Sequence, residues 1–408
     1  MRSGLGRELW IVQVGIFLNM LGYGAVLPYE VIYLHNGRGF SLGVAGLVVA
    51  ALSGVAVAVV AFAGPLIDRF GARVVMAGAG VALAAGYAGL AFATTPWEAF
   101  AAAAVAGLGN GAMNPSQSTL LATLAGREVR HRVTAVSRVS TNAGLGLGAA
   151  AGGFIASIGL AGLVLLFLAN AITYLVYVAV VLALVRESPR PDPIPGGYGQ
   201  VFRDRAFMRL ALTNVAMIAA GWGVINWLLP AYARNNLGID TRLIGLMLLA
   251  NTATVVVAQV PIARLAEGRR RVRMIAIAGA IFCGALVLTA VAGVDARIAY
   301  PLLVLAVVGV GAGECFYTTV LSPLVADLAP PPIRGRYMAA TGLSWWVGMA
   351  IAPALGAQTL SAAPQLTFLV AGAVAAGAGA SALRLEARLP DAARLTPRPG
   401  LLAQKTPR

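Results

Sequence analysis

Charged side chains are scarce in this chain: 11% of the residues are Asp, Glu, Lys or Arg, against 59% apolar ones. So little charge cannot cover the surface of a soluble globular protein of 408 residues, which excludes that class at once. Cysteine and histidine are nearly absent too. Cys283 and Cys315 both sit inside apolar runs, and the histidines are His35 and His131 alone, so no disulfide framework, metal site or cofactor is expected. Lysine occurs only as Lys405. The formal charge of +15 comes from arginines in the connections between apolar runs, with no aromatic-interleaved patch, so nucleic acid is not an expected partner.

Long apolar windows fill the rest. Between Leu9 and Leu383 the spacing predicts twelve spans of about 20 residues or more, each long enough to cross a bilayer. Arg2 and Arg7 before the first window imitate a signal peptide, but the run continues to about Leu34 without a convincing cleavage site and reads as a retained helix. Alternate connections carry most of the arginines, among them Arg69, Arg73, Arg130, Arg132, Arg186, Arg269 and Arg336; the others hold only Arg38, Arg234, Arg242 and Arg297. The positive-inside rule then places both termini in the cytoplasm. On the opposite side, Thr95-Pro96-Trp97-Glu98 reads as a capping box, and Ser41 and Asp240 read as N-caps.

Four prolines and three glycines between Pro189 and Gly199 break the pattern. They mark a cytoplasmic linker over 186–206 between an N-terminal six-helix bundle, 1–185, and a C-terminal one, 207–385. The tail, 386–408, lacks apolar periodicity and is expected to be disordered. The halves echo each other: Gly107, Gly109 and Gly111 correspond to Gly309, Gly311 and Gly313, and Gly144, Gly148 and Gly152 fall on Gly348, Ala352 and Gly356 at constant offset.

The connection after the second span, Gly64-Pro-Leu-Ile-Asp68-Arg69-Phe-Gly71-Ala-Arg73, packs an acid, two arginines and a turn glycine between apolar runs. It resembles, at every defined position, the G-x-L-x-D-R-x-G-x-R loop of the major facilitator superfamily. In the fifth span Gly144 to Gly153 is similar to the antiporter motif G-x-x-x-G-P-x-x-G-G of the twelve-helix drug:proton antiporters in that superfamily, with Ala149 where proline is usual. The resemblance implies an all-α membrane protein, twelve transmembrane helices in two pseudo-symmetric six-helix bundles, in the cytoplasmic membrane of a bacterium. It implies a gate in which Asp68 meets the start of the eleventh span near Arg336 and Tyr337, while Arg69 and Arg73 pair with an acid such as Glu128. Glycines of the fifth span, Gly144, Gly148, Gly152 and Gly153, let helices approach closely and slide, as an interface between moving halves requires. Two departures put proton coupling by the commonest arrangement in doubt: Arg264 stands where the second copy of the loop should have its acid, and Ala103 where many proton-coupled members carry an arginine.

Inside the apolar spans only Glu30 and Glu314 stand out among the acids, and an ionisable group there costs roughly 3 kcal/mol to insert, which makes both candidates for proton coupling. Glu314 is the stronger, with Tyr317 and Thr318 on its helical face. Glu30 lies on a first-span stripe with Asn19, Tyr23, Val26 and Tyr33, and it either faces the cavity or meets water at the outer end. Asn110, Asn114 and Gln117 share a face of the fourth span, and Trp222 and Asn226 share one of the seventh; these complete the candidate cavity. Arg138, two turns inside the fifth span, either snorkels or finds an acid or the substrate.

The reading is therefore a monomeric secondary transporter exporting small amphipathic or lipophilic molecules against proton entry, with substrate, protons and bilayer as its partners. An uptake carrier or uniporter of the same fold is the alternative, and a nontransporting receptor or scaffold a remote one. An intramembrane enzyme is excluded. Gly39-Phe-Ser41-Leu-Gly43 fits G-x-S-x-G, but Ser41 caps a helix, and His35 and His131 are predicted on opposite membrane faces.

Overall fold

The structure is a computed structural model that describes residues 6–125, 129–186, 198–330 and 333–396. Its long helices are α1 (Arg7–Gly37), α2 (Leu42–Phe70), α3 (Ala72–Phe92), α4 (Pro96–Leu124), α5 (Arg130–Ala156), α6 (Leu160–Leu184), α7 (Arg205–Asn235), α8 (Thr241–Ala266), α9 (Arg271–Val291), α10 (Ala296–Leu328), α11 (Arg334–Ala362) and α12 (Pro364–Leu383). Among the described residues ten are long and apolar enough to cross a membrane. The other two, α4 and α5, match them in length but fall short in apolarity; α4 carries Asn110, Asn114 and Gln117, and α5 carries Arg138, Ser140, Thr141 and Asn142.

Helix starts follow local chemistry. Ser41 accepts from the Val44 amide (3.2 Å), Glu98 reaches back to the amides of Thr94 (2.8 Å) and Thr95 (3.0 Å), and Asp240 accepts from the Arg242 amide (2.8 Å). The motif from Gly64 to Arg73 is a far shorter loop than the sequence suggests. Helix α2 runs on through Pro65 to Phe70, and one residue, Gly71, makes the turn at φ 87°, a backbone region that favours glycine. Gly268 plays the same part after α8 at φ 69°.

The chain divides into two compact units. The first comprises Met1–Pro195, Asn226–Thr252 and Ala350–Ala362. Glycines set its helix crossings: Gly144, Gly148 and Gly152 of α5 receive the α1 backbone at Phe17, Leu21 and Ala25, while Gly107 and Gly111 of α4 receive α2 at Leu52 and Ala56. The stripe Gly144-Gly148-Gly152 therefore serves packing inside the N-terminal half, correcting the expectation that it lies between moving halves. The other side of α5 does meet α8, with Gly146 against Thr252 and Gly153 against Gly245. Similarly, Gly46 of α2 packs on Pro353 and Ala357 of α11.

The second unit comprises Gly196–Ile225, Ala253–Met349 and Ala363–Arg408. There Gly348 of α11 receives Val215 and Ile218 of α7, the counterpart of the Gly144 contact with α1, so the sequence echo corresponds to a repeated helix crossing. Gly279 of α9 packs on Ala375 of α12. At the start of α9, Arg271 is buried and pairs with Asp327 at 2.7 Å.

The tail departs from expectation over its first part. Residues 386–396 form a 3-10 turn and a short helix that dock on the α8–α9 connection, through Arg270–Glu386 (2.9 Å) and backbone bonds between Thr396 and both Gly268 and Arg269. The apolar side chains Leu385, Leu389 and Ala393 are buried beneath it, an apolar spacing too short to be read as a helix face.

Asp204 caps α7 through the amides of Ala206 (2.9 Å) and Phe207 (3.1 Å), and its other oxygen accepts from the Tyr337 hydroxyl (2.9 Å). Asp204→Ala should cost about 1–2 kcal/mol, a lost cap plus a lost tertiary bond. The measurement is the unfolding midpoint of the purified protein, and Asp204→Asn should keep most of it.

Candidate transport site

Helix α1 is irregular where its carboxyl lies. The α-helical run Arg7–Val26 gives way to a 3-10 turn over Leu27–Tyr29, returns at Glu30–Ile32 and widens to a π turn over Tyr33–Gly37. Pro28, which has no amide hydrogen to give, accounts for the break. Glu30 is 3% exposed; its Oε1 accepts from the Tyr87 hydroxyl of α3 (3.1 Å) and its Oε2 from the Trp227 indole of α7 (3.0 Å). Tyr23 and Tyr174 complete its surroundings, and among the described residues no cation pairs with it. A buried carboxyl held by two neutral donors can keep a charge only at a desolvation cost, and a proton removes that cost. Glu30 thus does not meet water at a helix end.

The same end of the first unit is closely knit. Tyr29 donates to the Ala149 carbonyl (3.0 Å), and Thr241 donates to the Gly153 carbonyl (3.1 Å). Tyr33 donates to the Leu90 (3.0 Å) and Ala91 (2.9 Å) carbonyls at the end of α3, where Arg38 also bonds, placing a cation at a helix C-terminus.

Other candidates of this unit divide. Tyr23 is half-buried and edge-on to Tyr87, with centroids 6.4 Å apart. Asn19 is buried, and its Nδ2 reaches no protein acceptor. Along α4, Asn110 is buried, Asn114 is exposed and Gln117 accepts from the Tyr177 hydroxyl (3.2 Å). Asn226 is half-buried and Arg138 is exposed. In the loop motif Gly64 is exposed with open space around it, Asp68 is half-buried, and the Arg69 guanidinium lies over the Phe70 ring at 5.2 Å. Arg73 bonds the Leu182 carbonyl of α6, and Glu128, its expected partner, lies outside the described residues. The Tyr337 hydroxyl, expected near Asp68, is taken by Asp204, which sequence reasoning had no means to place there.

In the second unit Glu314 is half-buried beside Trp222, whose ring packs on Trp345 of α11 at 5.2 Å. Tyr317 does not share that face, contrary to expectation. It is buried and donates to Asn214 Oδ1 (2.7 Å), while Asn214 donates to Ser344 Oγ (2.7 Å), so it belongs to a polar tie between α7, α10 and α11. Thr318 bonds the Glu314 carbonyl one turn back (2.8 Å).

Sequence reasoning missed Tyr87, Trp227, Asn214 and Ser344. For Trp227 the signal was misleading: an α-helical period pairs Trp222 with Asn226, but Ala219–Leu228 is π-helical, and the wider turn displaces that register.

Among the described residues ten helices long and apolar enough to cross a membrane, with Glu30 held by a phenol and an indole and Glu314 beside an indole, define a multi-pass membrane protein with ionisable groups inside its spans. The chain belongs to the Major Facilitator Superfamily, whose family profile matches residues 12–219 and again 211–407. It is 27% identical to the multidrug resistance protein MdtH of Aeromonas hydrophila, over 84% of this chain and 85% of that one. It is 26% identical to the MFS-type transporter YqjV of Bacillus subtilis, over 85% of each. A crystal structure of a POT family transporter in complex with 5-aminolevulinic acid shares the fold, with a TM-score of 0.78 at 14% identity over 94% of this chain and 96% of that chain.

Proposed function

We propose that the protein exports small amphipathic or lipophilic molecules in exchange for protons, as a twelve-span carrier of the bacterial cytoplasmic membrane with both termini cytoplasmic. The observation that carries the reading is Glu30, a buried carboxyl with no cation paired to it among the described residues, which ties α1 to α3 and to α7. The drug-resistance name of the MdtH relatives supports the export direction.

In this reading the end of α1 at Tyr29–Gly37 faces outward. Ionised Glu30 draws the Tyr87 and Trp227 donors together and holds that end shut; a proton taken up from outside removes the charge they serve, weakens the tie and shifts the carrier toward its outward-open state. Asp68 and Arg73 act at the cytoplasmic face as the corresponding latch. The Trp222 indole beside Glu314 receives the substrate, which suits neutral or cationic aromatic compounds. One chain suffices for this cycle, so a monomer is proposed.

In proteoliposomes, adding a lipophilic cation should release protons from the wild type, and Glu30→Gln should suppress that release while leaving cation binding measurable. Proton release that is undiminished in Glu30→Gln would end the assignment.

A further inference from the structure

Glu30 is almost sealed, so a proton it carries needs a way out, and the first unit holds a polar seam that leads away from it. The Tyr87 hydroxyl donates to Glu30, and the Tyr87 ring is stacked on that of Tyr174 of α6, with centroids 6.1 Å apart and 10° between the planes. One turn earlier on the same α6 face lies Asn170, fully buried, facing Gly22 of α1; an added Cβ at Gly22 would come within 3.0 Å of its Oδ1. Neither Asn170 Nδ2 nor Asn170 Oδ1 reaches a protein partner. Across the seam Asn19 is one turn from Gly22, and its Nδ2 is also unmatched. At the other end, Tyr177 lies against Gly15 and donates to Gln117 of α4, a residue with partial solvent access (3.2 Å).

Unmatched amide atoms buried in an apolar bundle cost about 1–3 kcal/mol each, and native proteins meet that cost with bound water. Three such atoms facing one α1–α6 contact are hard to explain as packing, for which leucine would serve better.

We propose that the α1–α6 seam is an internal proton path, in which Asn19 and Asn170 hold water between the Gln117–Tyr177 end and Glu30. It rests on the reading of Glu30 as the proton carrier. For release, Glu30 passes its proton to the Tyr87 oxygen as Tyr87 passes its own to the seam water, so Tyr87 is unchanged, Glu30 becomes carboxylate and the water chain delivers one proton at Gln117. Among the described residues the ionisable groups facing Glu30 are Tyr23 on its own helix, Tyr87 on α3 and Tyr174 on α6.

The test uses the full chain in lipid nanodiscs. Infrared spectra of wild type minus Glu30→Gln isolate the Glu30 carboxyl band, and transfer to D2O gives its exchange rate. Asn170→Leu should slow that exchange about tenfold, the worth of one lost hydrogen bond in the barrier, with binding of tetraphenylphosphonium retained. Asn170→Ser should exchange nearly as fast as wild type, and Asn19→Leu, on the facing helix, gives the same readout should Asn170→Leu fail to accumulate. Exchange at the wild-type rate in both leucine variants overturns the path while leaving Glu30 as carrier. Slowing by Tyr23→Phe but not by Asn170→Leu routes the proton past Tyr23 and overturns it equally. A Glu30 band that never titrates removes the reading beneath the proposal, and the proposal with it.

Discussion

Gly148→Val should leave little folded protein in the membrane. A side chain at Gly148 would strike the Leu21 carbonyl oxygen and come within 2.9 Å of the Ala25 amide nitrogen, both backbone atoms of α1. Ordinary overpacking costs about 1–3 kcal/mol because side chains can turn aside. Backbone cannot, and α1 has little room to retreat, since it is also held against α6, with Gly15 on Tyr177 and Gly22 on Thr173. The loss should therefore exceed that range. Expression followed by size-exclusion chromatography measures it, and Gly284→Ala supplies the contrast: nothing lies within 4 Å of the added carbon on α9, so the substitution should be neutral or stabilise by up to about 1 kcal/mol. Comparable yields from both variants would mean that α1 and α5 are not in contact as described.

Trp227→Phe should separate the indole's packing from its hydrogen bond. Trp227 is 2% exposed and phenylalanine fills most of its space, so the chief loss is the donor to Glu30. At neutral pH that loss should destabilise the protein by about 1–3 kcal/mol, the range for a charged group left short of a partner. As pH falls and Glu30 takes up a proton, the penalty should shrink, because a neutral carboxyl needs its second donor less. Unfolding midpoints of both proteins across a pH series read the difference. Glu30→Gln combined with Trp227→Phe should lose the pH dependence altogether; a penalty unchanged with pH in the single variant would show that Glu30 holds one charge state throughout.

Much of the architecture was legible because it is local. Glu98, Ser41 and Asp240 cap helices within four residues of themselves, and the glycine stripe of α5 has a visible echo in α11. The site was legible only in part. Glu30 and Glu314 are acids in apolar runs and announce themselves, but the groups that define their surroundings lie far away in sequence: Tyr87 and Trp227 come from α3 and α7. Tyr317 was misplaced because a face counted on one helix does not say which neighbour it meets, and Asn214 is that neighbour. The docking of 386–396 was invisible for a similar reason, since it depends on backbone groups of Gly268 and Arg269 that carry no sequence signature.

The π-helical stretch Ala219–Leu228 carries a consequence for insertions and deletions. A π turn is an α turn with a surplus residue, so removing one residue there would let the backbone relax to the ordinary winding without unravelling the helix. Residues beyond the stretch would keep their facing, because the surplus was already absorbed there, but Trp227 lies within it and would lose the wide winding that turns its indole toward Glu30. A chain shortened by a single residue in this stretch can thus keep its fold and lose its coupling.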